Sequence, residues 1–280
     1  MNPRSILVLG GPKAGKTHYG AQLLFRLEQH KGGLRFYEPP ENVEPFREAM
    51  HCISQGRAAG HTPLNISQEV VLPVEFSDGQ RAKLVWPEYG GEQVNELLAT
   101  RHAKPAWVER ARESQGWLLL ARHDLFNATR DLLDRPVDVW MSARQNPEGA
   151  DAPWMFQSQV VELLQMLLFL RRSASSVPRS EPRLVVAISC WDDLQGREKF
   201  ASPAHALRAV APLVASFVEA NWVQEARVTI GLSSLGKNLS ETQEDEEFVN
   251  CGPHQQGFVV LPDGQIQTDL TWPLVELLAK

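Results

Sequence analysis

The sequence predicts an α/β fold: a mostly parallel sheet with helices on both faces and one antiparallel hairpin strand. Three observations carry that prediction. Short apolar runs bounded by turn residues alternate with longer segments of helical spacing. Asp78-Gly79 separates two neighbouring apolar runs, the short-range mark of a hairpin. A glycine-rich loop stands between the first apolar run and the first helical segment. Of the 280 residues, 43% are apolar, enough to build a large core and to exclude disorder over most of the chain.

In chain order, residues 5–9 (Ser-Ile-Leu-Val-Leu) read as a buried strand between Pro3 and Gly10-Gly11. A helix is expected over 17–29, with Ala21, Leu24, Phe25 and Leu27 on one face. Runs 69–76 and 81–86 form the hairpin around the Asp-Gly turn. Residues 93–112 are polar and helical, with a break at Pro105, and 117–121 are another buried strand. Pro136, Pro147 and Pro153 mark 127–153 as a Pro-rich polar insertion. A helix over 154–172 follows, then a Ser/Pro linker over 173–182. Residues 183–189 (Arg-Leu-Val-Val-Ala-Ile-Ser) are the clearest strand; 203–222 read as helical and 226–232 as a strand. The acidic stretch 241–247 reads as a flexible loop. Residues 257–280 form a C-terminal extension, a hairpin at Pro262-Asp263-Gly264 and a closing helix over 272–279. No internal repeat is present, so the expected organisation is one domain over 1–280.

Composition removes several function classes. With 28 Lys and Arg against 34 Asp and Glu, the formal charge is −6, which argues against a general grip on nucleic acid or anionic lipid. Cys52, Cys190 and Cys251 are odd in number and form no CxxC, so no disulfide framework or zinc knuckle is indicated and the cytoplasm is the expected compartment. The N-terminus shows no secretory leader. The most apolar stretch, 154–170, is interrupted by Gln157, Ser158, Gln159, Glu162 and Gln165, so no membrane span is expected. The eight histidines make no helical pair with a catalytic Glu, and Ser233-Ser234 lacks a G-x-S-x-G frame. Arg101, Lys104, Arg110 and Arg112 beside Trp107 read as a solvated basic face.

Gly10-Gly11-Pro12-Lys13-Ala14-Gly15-Lys16-Thr17 fits G-x-x-x-x-G-K-[ST] at every fixed position, between a strand and a helix as the mechanism requires. Glycines let the backbone wrap phosphate oxygens, and the N–H groups at the helix start point at the anion. Gly11, Pro12, Lys13, Ala14, Gly15, Lys16, Thr17 and His18 are the candidate phosphate-binding residues. Lys16 would neutralise β- and γ-phosphate charge, and the Thr17 hydroxyl would hold Mg²⁺. The fold is thus expected to be that of a P-loop NTPase.

Downstream, in order, come Gly60-His61-Thr62-Pro63, the hairpin, Glu88-Tyr89-Gly90-Gly91-Glu92, Ser189-Cys190-Trp191-Asp192 after a strand, and Ser233-Ser234-Leu235 after the next. This order resembles the translation-factor-related (TRAFAC) class of P-loop GTPases, with a small-GTPase-like domain. It looks closest to the bacterial GTPase-like proteins of conflict and signalling cassettes. The resemblance covers roughly 5–236. It implies that Thr62 completes Mg²⁺ coordination and senses the γ-phosphate, and that Glu88, in the Asp place of DxxG, holds Mg²⁺ through water. Gly91 would offer its N–H to the γ-phosphate, and Glu92 would occupy the place of the residue that orients the attacking water. Asp192 would read guanine N1–H and the exocyclic amine, with Asp193 as its neighbouring competitor. Cys190 departs from the family's lysine, which braces the P-loop. Ser233 and Ser234 would touch the base. Lys13 would stand in for a monovalent cation, a catalytic role beside Lys16 and Glu92.

The resemblance therefore implies a switch that binds GTP and GDP, hydrolyses GTP slowly with Mg²⁺, and acts through an unidentified protein partner. Two alternatives stay open: a pseudo-GTPase adaptor that binds nucleotide weakly or not at all, and an ATPase or small-molecule kinase on the same fold, for which Arg144 and Arg197 are the available lid arginines.

Overall fold

The computed structural model describes residues 4–30, 32–60, 67–89, 91–123, 156–171, 177–194 and 197–278. Thr62, the insertion at 127–153 with Arg144, and the first residues of the 173–182 linker lie outside them.

Strand β1 (Arg4–Leu9) leads through the P-loop into α1 (Lys16–Glu28). Then come β2 (Leu34–Phe36), α2 (Glu44–Ser54), the hairpin β3 (Ser67–Phe76) and β4 (Arg81–Tyr89), α3 (Gly91–Thr100) and α4 (Pro105–Glu113). The second half holds β5 (Gly116–Arg122), α5 (Phe156–Leu170), β6 (Arg183–Ser189), α6 (Pro203–Val210), α7 (Pro212–Asn221) and β7 (Arg227–Ser233). It ends with α8 (Glu246–Cys251), β8 (Phe258–Val260), β9 (Ile266–Gln267) and α9 (Trp272–Leu278).

Among the described residues the strands form one sheet in the order β2-β3-β4-β1-β5-β6-β7-β8-β9. The central pairs β4–β1–β5–β6–β7 are parallel, while β3 and β8 run against them. The mostly parallel architecture is the one expected, with two reversed strands instead of one. The alternation of the central strands explains the layers. Ile6, Val8, Leu118, Leu120, Val185 and Ala187 face one core with α1, α2 and α9. Leu7, Leu9, Trp117, Leu119, Leu184, Val186 and Ile188 face the other, with α3 to α7. Successive residues point to opposite faces, so a strand covered on both sides must be apolar at nearly every position.

Three local expectations differ from the structure. The helical stretch 203–222 is two helices. Pro212 has no N–H and forces Ala211 out of helical backbone, so α6 stops at Val210 and α7 starts at the proline. The acidic stretch 241–247 is only partly loop: Asp245 accepts from Phe248 N–H at 2.8 Å and caps α8, which takes in Glu246 and Glu247. Between α1 and β3, β2 and α2 were not anticipated. Phe46, Ala49 and Ile53 of α2 are buried, and Phe46 lies where a Cβ on Gly20 of α1 would stand 2.3 Å from its ring. The basic face at 101–112 is solvated as expected and paired outward, Lys104 to Glu96 at 2.7 Å and Arg101 to Glu162. No described helix is long and apolar enough to cross a membrane.

Candidate functional site

The parallel strands β1, β4, β5, β6 and β7 all end at one edge of the sheet, and the sequence motifs follow those ends, as expected for a ligand crevice at the carboxyl ends of parallel strands. At the end of β1 the loop closes tightly. A Cβ on Gly10 would come within 2.9 Å of Ala14 Cβ and 3.0 Å of the Leu120 carbonyl oxygen. Gly15, at φ 87°, precedes α1 and supplies no side-chain cap. The first backbone bond of the helix is Tyr19 N–H to Gly15 at 2.9 Å. The first N–H groups of a helix have no carbonyl partners within it, and they are the groups that suit an anion at a helix start. The Lys16 ammonium, buried at 8% exposure, donates to the carbonyls of Gly10 at 2.9 Å and Gly11 at 3.1 Å. Those bonds offset its desolvation and hold it across the loop mouth. Lys13 is exposed and left-handed, at φ 61°.

His18 is tied outward. Its Nε2 accepts the Ala59 N–H at 3.0 Å, so this imidazole is neutral on that nitrogen. Burial holds its pKa below the usual value; Glu241 pulls it up and Arg122 pushes it further down. The segment before Thr62 is thereby fixed to the P-loop helix. The same segment is bound from its other side. Ala58 N–H donates to Ser240 at 2.9 Å and Asp245 N–H to Gly56 at 3.1 Å. Gly56 is required there: at φ 69°, a Cβ would stand 2.6 Å from the Asp245 carbonyl.

Glu88 lies on β4, paired across the hairpin with Gln68, and Gly91 and Glu92 open α3. At the end of β6, Cys190 is left-handed (φ 54°) and Trp191–Asp193 form a single tight turn, closed by Asp193 N–H to Cys190 at 3.0 Å. Trp191 is buried against β7, and a Cβ on Gly231 would stand 2.5 Å from its ring. Asp192 is half-buried and Asp193 exposed. Ser233 is fully buried, and its Oγ accepts from Gly236 N–H at 2.9 Å, closing the loop after β7. Gly257 fits beneath that loop; a Cβ would meet the Ser234 carbonyl at 2.4 Å. Lys237 then pairs with Asp245 at 2.7 Å and Glu247 at 3.0 Å.

The sequence model of the family described as "Double-GTPase 1" matches residues 7–277. The chain belongs to the Double-GTPase 1 family. It is a divergent P-loop GTPase. Solved structures similar to it include the Chaetomium thermophilum signal recognition particle receptor SRb-GTP/SRX complex, at 13% identity and TM-score 0.41, covering 90% of this chain and 98% of that one. A crystal structure of sup35 complexed with GDP is similar at 9% identity and TM-score 0.36, over 86% of this chain and 41% of that one. Methanosarcina barkeri Roco2 RocCORdC bound to GDP is similar at 13% identity and TM-score 0.28, over 90% and 48%. The chain thus spans less than half the length of the sup35 and Roco2 chains it matches. No curated protein matches it.

In this Double-GTPase 1 chain the structure brings Gly11 to His18, Gly91, Asp192, Ser233 and Ser234 to one edge. Two expected contributions look different on inspection. The Ser233 hydroxyl oxygen already serves the fold, accepting from Gly236 N–H. His18 reaches the Gly56–Ala59 segment with its side chain. Sequence reasoning missed Arg122, whose Nη1 donates to the Lys13 carbonyl at 3.3 Å. A charged residue ending an otherwise apolar strand beside the P-loop strand was the available signal. It also missed the 56–59 and 240–245 contact, which has no local signature.

Proposed function

We propose that this chain is a guanine-nucleotide switch that hydrolyses GTP slowly with Mg²⁺ and offers its nucleotide-dependent surface to a protein partner. The observation that carries the proposal is the glycine loop between β1 and α1, with Lys16 held at its mouth and the left-handed Gly15 opening the helix behind it, in a GTPase family member. A triphosphate in the loop would draw the Lys16 ammonium from two carbonyls to phosphate oxygens, while α1 contributes its N–H groups.

The donor set suits a hard, oxygen-liganded cation. Among the described residues no group of three His, Cys, Asp or Glu forms a metal site of its own. Thr17, Thr62 and, through water, Glu88 would hold Mg²⁺ together with the phosphates, and the ion would neutralise charge between the β- and γ-phosphates. Glu92 would orient water for attack on the γ-phosphorus, with the bond to the β–γ bridging oxygen breaking and GDP and phosphate leaving. A carboxylate there adds negative charge beside the triphosphate, so turnover is slow. Lys13 would supply the positive charge that a monovalent cation otherwise brings. Asp192 would read the guanine edge. One domain over 1–280, carrying the 127–153 insertion, belongs to the same proposal.

The test is thermal stability of wild type and Lys16→Ala with Mg²⁺ and GTP, GDP, ATP or ADP. A ligand that binds only the native state at 100-fold excess over Kd adds about 2.7 kcal/mol. The proposal expects that shift with guanine nucleotides, in wild type alone. A shift with adenine nucleotides instead would move the chain to the ATPase or kinase reading. No shift at all would establish the adaptor.

A further inference from the structure

β5 outruns β1 at the nucleotide edge. The two strands pair from Ile6 with Gly116 to Leu9 with Leu119, and β5 continues to Arg122 while β1 gives way to the P-loop. The loop leans on this extension, since Gly10 approaches the Leu120 carbonyl too closely for a side chain. Two residues further along, Arg122 Nη1 donates to the carbonyl of Lys13 at 3.3 Å. On its other side Arg122 pairs with Ser189, the last residue of β6. It therefore stands between the P-loop and the turn that carries Cys190 and Asp192. Its charge reaches the first turn of α1, where it opposes protonation of His18.

The carbonyl it holds matters. Lys13 is the left-handed non-glycine residue of the loop, a conformation with a cost for a side chain that surrounding contacts must offset. The C=O and N–H of one peptide plane point in opposite directions. With the Lys13 carbonyl turned toward a guanidinium, the Ala14 N–H faces back across the loop, where it reaches the Gly11 carbonyl only at 3.4 Å. That N–H is thereby directed into the loop, on the side where an anion would sit. A carbonyl released from Arg122 and rotated inward would instead turn its negative end on a phosphate.

We infer that Arg122 is the P-loop brace of this chain: a positioning residue that fixes the Lys13 carbonyl outward, so that the loop presents donors to the guanine nucleotide. It does so from β5, across from Cys190, where a thiol replaces the lysine expected by resemblance. The inference rests on the guanine-nucleotide reading above. Residue 190 follows the lateral partner of Arg122, one strand further from the loop, and the longer side chain of a lysine placed there would take over the brace.

Titration calorimetry with GDP and Mg²⁺ on the full chain, with nucleotide-free Tm measured alongside, tests it on four proteins: wild type, Arg122→Ala, Arg122→Met and Arg122→Ala/Cys190→Lys. Removing the donor should weaken GDP binding about tenfold or more, the scale of a hydrogen bond to a charged group, with little change in the nucleotide-free Tm. The double variant should regain most of the affinity. A merely structural arginine would lower Tm and leave no reason for a lysine at another position to restore binding. Arg122→Met keeps the apolar stem, so it reports even if the alanine variant does not fold. GDP binding by a folded Arg122→Met within about twofold of wild type overturns the inference, as does a double variant no better than Arg122→Ala. Failure of wild type to bind GDP is a separate result; it overturns the guanine-nucleotide reading and the brace with it.

Discussion

At the phosphate end of the proposed site the groups that would meet a ligand are mainly backbone N–H groups, set in place by loop conformation, with the Lys16 ammonium beside them. At the base end they are side chains, and most of the side chains there already serve the fold. Trp191 is packed on Gly231, Ser233 closes the loop to Gly236, and Lys237 holds Asp245 and Glu247. A backbone cradle depends on few residue identities, so it survives divergence and is recognisable from eight positions. A side-chain reader shares its residues with packing and loop closure. Such a reader can change letters while the edge keeps its shape, and the letters alone then say less.

Four substitutions and a titration would break or sharpen that contrast. Lys16→Ala should have the largest effect, abolishing the nucleotide-induced thermal shift, at least about a hundredfold in affinity. Its nucleotide-free Tm should hold, because the lysine's bonds are to loop carbonyls outside both cores. Gly231→Ala should destabilise the chain by about 1–3 kcal/mol in urea, the range of an overpacked core, because the new methyl meets the Trp191 ring. It should also weaken guanine more than it weakens inorganic triphosphate. Asp192→Ala should cost about tenfold in GDP affinity in competition assays and narrow the gap between GDP and ADP. Equal loss for both nucleotides would move base reading to another residue, with Asp193 next. Ser233→Ala should cost about 1 kcal/mol of stability, for one hydrogen bond to a backbone N–H, with phosphate affinity unchanged.

The smallest expected effect is on pH. The folded His18 has a pKa below its ordinary value of 6.5 because burial disfavours the imidazolium. Below about pH 6.5 the unfolded chain binds the proton first, so the native state is at full strength above that pH and loses stability as pH falls from it toward the lower folded value. The Ala59 N–H loses its acceptor only at lower pH, once the folded imidazole itself takes up the proton. His18→Gln, which keeps an acceptor that does not titrate in this range, should flatten the acid side of the Tm profile between about pH 7 and 5.

Much of the sheet was legible because the central strands are covered on both faces. The runs at 5–9, 117–121 and 183–189 are nearly unbroken apolar segments, and the Asp78-Gly79 turn specified the hairpin. The P-loop was legible residue by residue. What was not legible depends on contacts far apart in sequence. β2 has three residues, too few for a period, and pairs with β3 only because the chain returns there. α2 has helical spacing at Phe46, Ala49 and Ile53, but Pro39-Pro40 and Pro45 beside it are helix-breaking residues that obscure it. Arg122 gains its meaning from the Lys13 carbonyl, 109 residues away. The tie from His18 to Ala59 and on to Ser240 joins three segments whose local sequences carry no mark of one another.

The polar side of α1 sets the timing of the whole assembly. Tyr19 donates to the Leu270 carbonyl at 2.8 Å, Gln22 to Pro253 at 3.0 Å and Arg26 to Gln256 at 2.6 Å. The helix that carries Lys16 and Thr17 is synthesised well before its partners, since its buried polar groups find their acceptors more than two hundred residues later. At about 5–20 residues per second of synthesis, α1 waits roughly 10–50 s for those partners. A P-loop that is translated early is thus completed late, and nucleotide capture in the cell should follow the release of the C-terminal hairpin and helix instead of accompanying the emergence of the motif itself.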